Sequence, residues 1–202
     1  NKTVIEHVID RVKSTKFRKK IIVATTKNKN DRHIFKITKL KSCLFFAGDN
    51  KNVLRRFYFA SKKFHLKHII RVSADSPFLD PTIIEKVYRI YVKKKHDYVS
   101  NIVNPTFPKG MSCEIFSFKT LELAYKNSKT NYEKEHVTPF IIKKPKVFKI
   151  KNFSTKLRVR KKRFSIDYKS DLIFLRNLYI KIRKSKKNAF SYKRLVELSD
   201  KV

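Results

Sequence analysis

His68-Ile69-Ile70-Arg71-Val72-Ser73-Ala74-Asp75-Ser76-Pro77-Phe78-Leu79-Asp80-Pro81 runs from β-branched residues through an acid and two prolines, and Ile83, Ile84, Val87 and Ile90 follow at helical spacing. The apolar run predicts a strand covered on both faces. Asp75, just past its end, then projects into the crevice beyond the strand's carboxyl end, where open α/β sheets bind ligands. The same succession recurs upstream. Val4, Ile5, Val8, Ile9 and Val12 share one helical face ahead of a strand at Ile21-Ile22-Val23-Ala24-Thr25, and Val53, Leu54, Phe57, Ala60 and Phe64 form another face ahead of His68. Downstream, strands are predicted from Tyr98 to Ile102, Cys113 to Phe116, Phe148 to Ile150 and Phe164 to Ile166. Helices are predicted over 133–143 and through Leu172, Leu175, Leu178 and Ile182. This alternation predicts an α/β fold with a mostly parallel sheet between two helical layers, and an antiparallel strand or two in the later half. No repeat, low-complexity linker or composition break divides residues 1–202, so a single domain is expected.

Only Gly48 and Gly110 are present, which excludes a G-x-G-x-x-G dinucleotide turn and a Walker A loop. Cys43 and Cys113 lie far apart with no metal-ligand spacing and no disulfide framework, fitting a reducing cytoplasm. Apolar runs are short and broken by lysine, so no membrane span is expected, and no export signal is visible. Lys+Arg 51 against Asp+Glu 16 gives a formal charge of +35, which raises contact with nucleic acid or another polyanion as a competing function. The basic residues recur in every segment, among them Lys16 to Lys20, Lys36 to Lys41, Lys93 to Lys95, Lys156 to Arg163 and Lys184 to Lys187, a distribution that resembles a solvated shell.

Asp167 follows the predicted strand Phe164-Ser165-Ile166 as Asp75 follows His68 to Ser73. Two carboxylates at neighbouring strand ends could share a hard divalent cation, and Mg2+ suits such a pair because it takes its other ligands from water and substrate phosphates. The plainer alternative for each acid is a turn or helix cap.

These residues carry a resemblance. Arg71 to Pro81 resembles a segment of cytidylyltransferases of the spore coat polysaccharide type, relatives of the acylneuraminate and 3-deoxy-manno-octulosonate cytidylyltransferases. Further blocks follow in the family's order: Asp97-Tyr98-Val99-Ser100-Asn101, the run from Pro108 to Phe116, Glu133-Lys134-Glu135-His136-Val137-Thr138-Pro139-Phe140, and the run from Ser165 to Leu172. Val53-Leu54-Arg55-Arg56-Phe57-Tyr58 resembles an earlier one. The resemblance implies a nucleotide-diphospho-sugar transferase-like (Rossmann-like) fold and transfer of a cytidylyl group from CTP to a sugar or sugar acid. It also implies Asp75 and Asp167 as ligands of Mg2+. Arg56 and Arg71 become candidate cations for phosphate, with an ordinary ion pair as the alternative for each. Asn101, Glu114, Glu135 and His136 become candidates for the sugar side, with capping and loop bonding as the alternative. His136 could also accept a proton. Relatives often form homodimers.

The chain departs from the family in three places. Ser112 stands where an aspartate is common, and Ala74 and Ser76 flank Asp75 where glycine and cysteine are common. Family members also begin with a strand and a loop rich in glycine, arginine and lysine that wraps the CTP phosphates, whereas Asn1-Lys2-Thr3-Val4-Ile5-Glu6-His7-Val8 matches the helix after that loop. The first strand is therefore expected to be missing, leaving its neighbours' edges unpaired and residues 1–202 weakly folded or inactive. An inactive remnant is the third reading.

Overall fold

The computed structural model describes residues 2–93, 96–157, 159–184 and 190–200; residues 94–95, 158 and 185–187 of the basic runs lie outside the described residues, as does Asn1. In chain order the elements are α1 (Val4–Lys13), β1 (Ile22–Thr26), α2 (Arg32–Leu40), β2 (Leu44–Gly48), α3 (Val53–Lys63), β3 (His68–Arg71), α4 (Pro81–Lys93), β4 (Tyr98–Ser100), β5 (Glu114–Ser117), α5 (Phe118–Asn127), α6 (Asn131–His136), α7 (Pro139–Ile142), β6 (Ile150–Asn152), α8 (Lys169–Lys184) and α9 (Tyr192–Ser199). No helix among the described residues is long and apolar enough to cross a membrane.

Strands β3-β5-β4-β6 form a four-stranded sheet in which β6 runs parallel to β4, and β5 runs antiparallel to both its neighbours. Because successive side chains on a strand point to opposite faces, adjacent apolar residues feed two separate cores. Ile70, Val99 and Ile115 face Ile83 of α4, Leu178 of α8 and Leu195 of α9. Ile69, Tyr98 and Phe116 face Leu54 of α3, Leu121 of α5 and Ile141 of α7. The three-layer α/β arrangement thus follows from runs that are apolar at consecutive positions.

The expected single sheet is instead two. β1 and β2 pair in parallel as a separate ribbon, Ile22 opposite Leu44 through Thr26 opposite Gly48. The bonds Leu44 N–H to Ile21 C=O and Lys27 N–H to Gly48 C=O turn odd-numbered β1 residues towards β2. The peptide groups of Ile22 and Ala24 then point to the opposite edge, where Asp31 caps the Thr26 N–H at 3.2 Å. On β3, the bond from Phe118 N–H to Lys67 C=O leaves the peptide groups of His68 and Ile70 directed away from β5. Both edges lack a strand partner among the described residues, which is why the sheet divides there.

Other boundaries also differ. Phe164 to Ile166 is not a strand: Phe164 N–H goes to Lys109 C=O at 2.8 Å and Ile166 N–H to Asp75 C=O at 3.0 Å, and bonds shared between two partners build no ladder. One parallel bridge, Lys109 with Arg163, remains. The helix expected over 133–143 breaks at Val137 (φ 73°, ψ −53°), where Thr138 N–H reaches His136 C=O at 2.9 Å in a γ-turn. Pro139, which has no N–H to extend α6, instead opens α7.

Asp80 links distant parts of this frame. It is 1% exposed, and its two carboxylate oxygens accept the N–H of Thr82 in α4 and of Tyr192 in α9, each at 2.8 Å. Asp80→Ala leaves both donors bare, and a loss of about 2 kcal/mol is expected, one cap's worth for each helix. Urea unfolding would measure it, and an unchanged midpoint would exclude this double capping role.

Acid should weaken the fold. Main-chain N–H groups hold the carboxyls of Glu6, Asp49, Glu133 and Asp171 below their ordinary values, and the Thr26 hydroxyl does the same for Asp31. A depressed folded value means that the stabilisation is complete above the unfolded values of 3.8 for Asp and 4.5 for Glu, and is lost as pH falls through the lower folded ones. Melting temperature should therefore be level between about pH 5 and 7 and fall below about pH 4. A midpoint still level at about pH 3 would show that these caps contribute nothing.

Candidate active site

The registers align Arg71, Glu114, Ser100 and Asn152 as a row across one margin of the four-stranded sheet, at the carboxyl ends of β3, β4 and β6. Chain segments leaving this margin carry most of the residues singled out in the sequence.

Glu114 anchors the row. It is fully buried, pairs with Arg71 Nη1, and accepts the Tyr98 hydroxyl at 2.7 Å and the Thr138 hydroxyl at 2.6 Å. A buried charge needs such a partner set, because desolvation otherwise disfavours it strongly. Burial, with Glu114 next in importance, pushes the Tyr98 phenol well above its ordinary value, so it remains a neutral donor. The Glu114 carboxylate is thus satisfied by Arg71, Tyr98 and Thr138. Arg71 keeps 20% of its side chain exposed and lies over the Phe57 ring at 5.8 Å, so its outer side faces the margin.

Asn101 is likewise turned inward. At 2% exposure, its amide donates to Met111 C=O at 2.8 Å and accepts from Cys113 N–H at 2.9 Å. It continues the β4–β5 pairing by one side-chain rung and shapes the 111–113 turn. Glu135 and His136 are exposed on α6, with the His136 ring edge-on to Tyr132 at 4.5 Å. Thr138 ties the end of that helix to Glu114.

Asp75 and Asp167 are brought close through the main chain. Ile166, the neighbour of Asp167, donates to the carbonyl of Asp75 at 3.0 Å. The Asp75 carboxylate is partly exposed and accepts the Ser76 hydroxyl at 2.7 Å. The Asp167 side chain is 50% exposed and pairs with Arg163, which also pairs with Asp171 at 3.0 Å. Asp171 in turn accepts the N–H groups of Asp167 and Tyr168, each at 2.9 Å, fixing the entry to α8. Arg163 thus has two carboxylate partners, Asp167 and Asp171. Two carboxylates are a hard oxygen set that fits Mg2+ with phosphate and water completing its shell. No group of three or more His, Cys, Asp or Glu gathers as a metal cluster among the described residues.

Arg56 belongs to a second group, at the carboxyl ends of β1 and β2. Its Nη1 donates to Asp49 C=O at 2.9 Å and its stem packs against Gly48, where an added Cβ would meet Arg56 Cγ at 3.0 Å. Burial lowers the guanidinium pKa, opposed by Asp31 and Asp49. Asp31 and Asp49 were missed in the sequence, although each follows closely on a strand end, as Asp75 does.

Residues 1–197 match the sequence pattern of the Cytidylyltransferase family, and the chain belongs to that family. The protein MJ1063 of Methanocaldococcus jannaschii is 38% identical over 152 residues, a match that takes in 74% of this chain and 60% of MJ1063. The spore coat polysaccharide biosynthesis protein SpsF of Bacillus subtilis is 24% identical over 185 residues, 88% of this chain and 76% of SpsF. A cytidylyltransferase structure from Leptospira borgpetersenii superposes with a TM-score of 0.91 at 26% identity, covering 100% of this chain and 84% of the other. The CMP:2-keto-3-deoxy-manno-octonic acid synthetase complexed with CTP shares the fold, with a TM-score of 0.69 at 13% identity, covering 90% of this chain and 89% of that one.

Proposed function

We propose that the protein transfers a cytidylyl group from CTP to a sugar or sugar acid, with Asp75 and Asp167 holding Mg2+. The observation that supports this reading is the Ile166–Asp75 main-chain hydrogen bond, which joins the segments carrying two acids distant in sequence within a cytidylyltransferase fold. When bound, Mg2+ would neutralise phosphate charge and orient the nucleotide. In the transfer, an acceptor oxygen forms a bond to the α-phosphorus while the bond to pyrophosphate breaks, and the acceptor's proton passes to solvent or to exposed His136. Arg71, locked by Glu114 and backed by Phe57, supplies a fixed positive charge with little ordering cost on binding. Arg56 supplies a second cation from the β2 side. Asn101 and Glu114 act from beneath by shaping the margin, and Glu135 and His136 remain available to an acceptor. A surface-polysaccharide or glycan role follows the likeness to SpsF.

We further propose that backbone outside these residues completes the sheet between β1 and β3 and cradles the triphosphate. The open peptide edges of Ile22, Ala24, His68 and Ile70 support this. Residues 1–202 alone should release little pyrophosphate from CTP. Joined to the part of the Leptospira relative that this chain does not cover, the chain should release it in a manner that needs both Mg2+ and a sugar-acid or sugar acceptor. No acceptor-dependent release from that chimera, once shown to fold, would defeat the transferase reading. Turnover by residues 1–202 alone would remove the need for the added strand.

A further inference from the structure

At the end of the strands opposite the candidate active site, a cleft of about 820 Å3 opens between the α1–β1 connection, the start of β2 and the end of α3. Its lining includes Lys13, Arg18, Lys19, Lys20, Lys63 and His65. None of the chain's 16 acids lines it. The cations differ in what already holds them. Lys13 donates to Lys41 C=O, and Lys19 donates to the carbonyls of Lys13, Thr15 and Phe17, so both brace the wall. Arg18, Lys20 and Lys63 are exposed and make no ion pair with a carboxylate among the described residues.

We propose that this cleft binds the phosphate backbone of single-stranded nucleic acid, through Arg18, Lys20 and Lys63. Concave walls of low dielectric concentrate the field of unpaired cations, and a ligand gains most where no nearby carboxylate competes. Arg18 and Lys20 come from the α1–β1 connection and Lys63 from the end of α3, and all three line one cleft, which suits a chain of phosphates. A cleft also suits a flexible strand better than a flat anionic membrane. This reading does not depend on the transferase function, because the cleft lies at the other pole of the strands. A strand added between β1 and β3 would begin near this pole, and all three cations are exposed there.

The test uses a fluorescent oligothymidylate and the whole 202-residue chain. A variant carrying Arg18→Ala, Lys20→Ala and Lys63→Ala should bind roughly ten- to a hundredfold more weakly at 0.1 M salt, with the logarithmic salt slope shallower by about 2. A control of equal charge, with Lys129→Ala, Lys146→Ala and Lys193→Ala at exposed positions elsewhere, should bind within about twofold of the parent. Inorganic polyphosphate should displace the oligonucleotide. Equal weakening by both triple variants would show diffuse attraction to the overall charge and overturn the site. So would unaltered binding in the first variant, or failure of polyphosphate to compete. Matching melting curves for the three proteins would exclude unfolding as the cause.

Discussion

Gly110→Ala is expected to destabilise the protein by about 3 kcal/mol, made up of roughly 1–2 kcal/mol for a left-handed backbone and the remainder from a main-chain clash. Gly110 has φ +88°, and a Cβ there would lie 2.5 Å from the Phe164 carbonyl carbon, 2.6 Å from its oxygen and 2.7 Å from Ser165 N. No side chain can swing aside to relieve contacts with backbone. The turn at Gly110 lets Lys109 exchange hydrogen bonds with the 162–164 strip, at 3.0 Å from Lys109 N–H and 2.8 Å to Lys109 C=O. That strip leads directly into the Ile166–Asp75 bond. A melting temperature lower by roughly 6–12 °C should therefore accompany loss of metal-dependent nucleotide binding. A variant with unchanged melting would show that the two strips can separate without cost.

Glu114→Ala should cost about 3–5 kcal/mol, the usual penalty for breaking a buried pair and leaving one charge uncompensated. The arginine loses its counterion, and the Tyr98 and Thr138 hydroxyls lose their acceptor, at a position with no access to water. Glu114→Gln keeps an acceptor of the same shape and should cost less. Removing both charges with Arg71→Met and Glu114→Leu should recover part of the loss, because an apolar pair of similar volume replaces a charge pair that had to be desolvated. A double-mutant cycle from chemical unfolding reads the coupling directly. A coupling near zero would mean that Arg71 is held by its packing on Phe57 rather than by Glu114.

The fold was legible wherever apolar residues were consecutive. Ile69-Ile70, Tyr98-Val99 and Ile115-Phe116 each supply both faces of a strand, and the helices between them have clean apolar stripes. The α2–β2 unit went unseen because lysines at 36, 39 and 41 interrupt its apolar positions, and Leu40 and Leu44 are themselves exposed. The break at Val137 could not be read from periodicity, since Glu133 to His136 carry no apolar residue to set a face, although Pro139 marked the place.

The candidate acids could be singled out by position in the sequence, while the partners of the buried polar residues are visible only in the fold. Asp75 stands beyond strand β3 as its position after the apolar run predicts, whereas Asp167 is singled out from a strand at 164–166 that the structure replaces with separate bonds to Lys109 and Asp75. Glu114 and Asn101 are polar residues inside or beside apolar strand runs, a placement that signals burial with satisfied partners. Arg71, the other charge within a strand run, was the partner to look for. Asp80 was hidden by the prolines around it, because its second bonding partner, Tyr192, lies 112 residues away.

Electron paramagnetic resonance of Mn2+, a spectroscopic substitute for Mg2+, with CTP and the chimera that supplies the triphosphate cradle tests the metal assignment most directly. The free-ion signal should fall as protein is added, and Asp75→Ala and Asp167→Ala should each restore most of it while the fold is retained. Equal attenuation by both variants and the parent protein would contradict the assignment of these two aspartates as metal ligands.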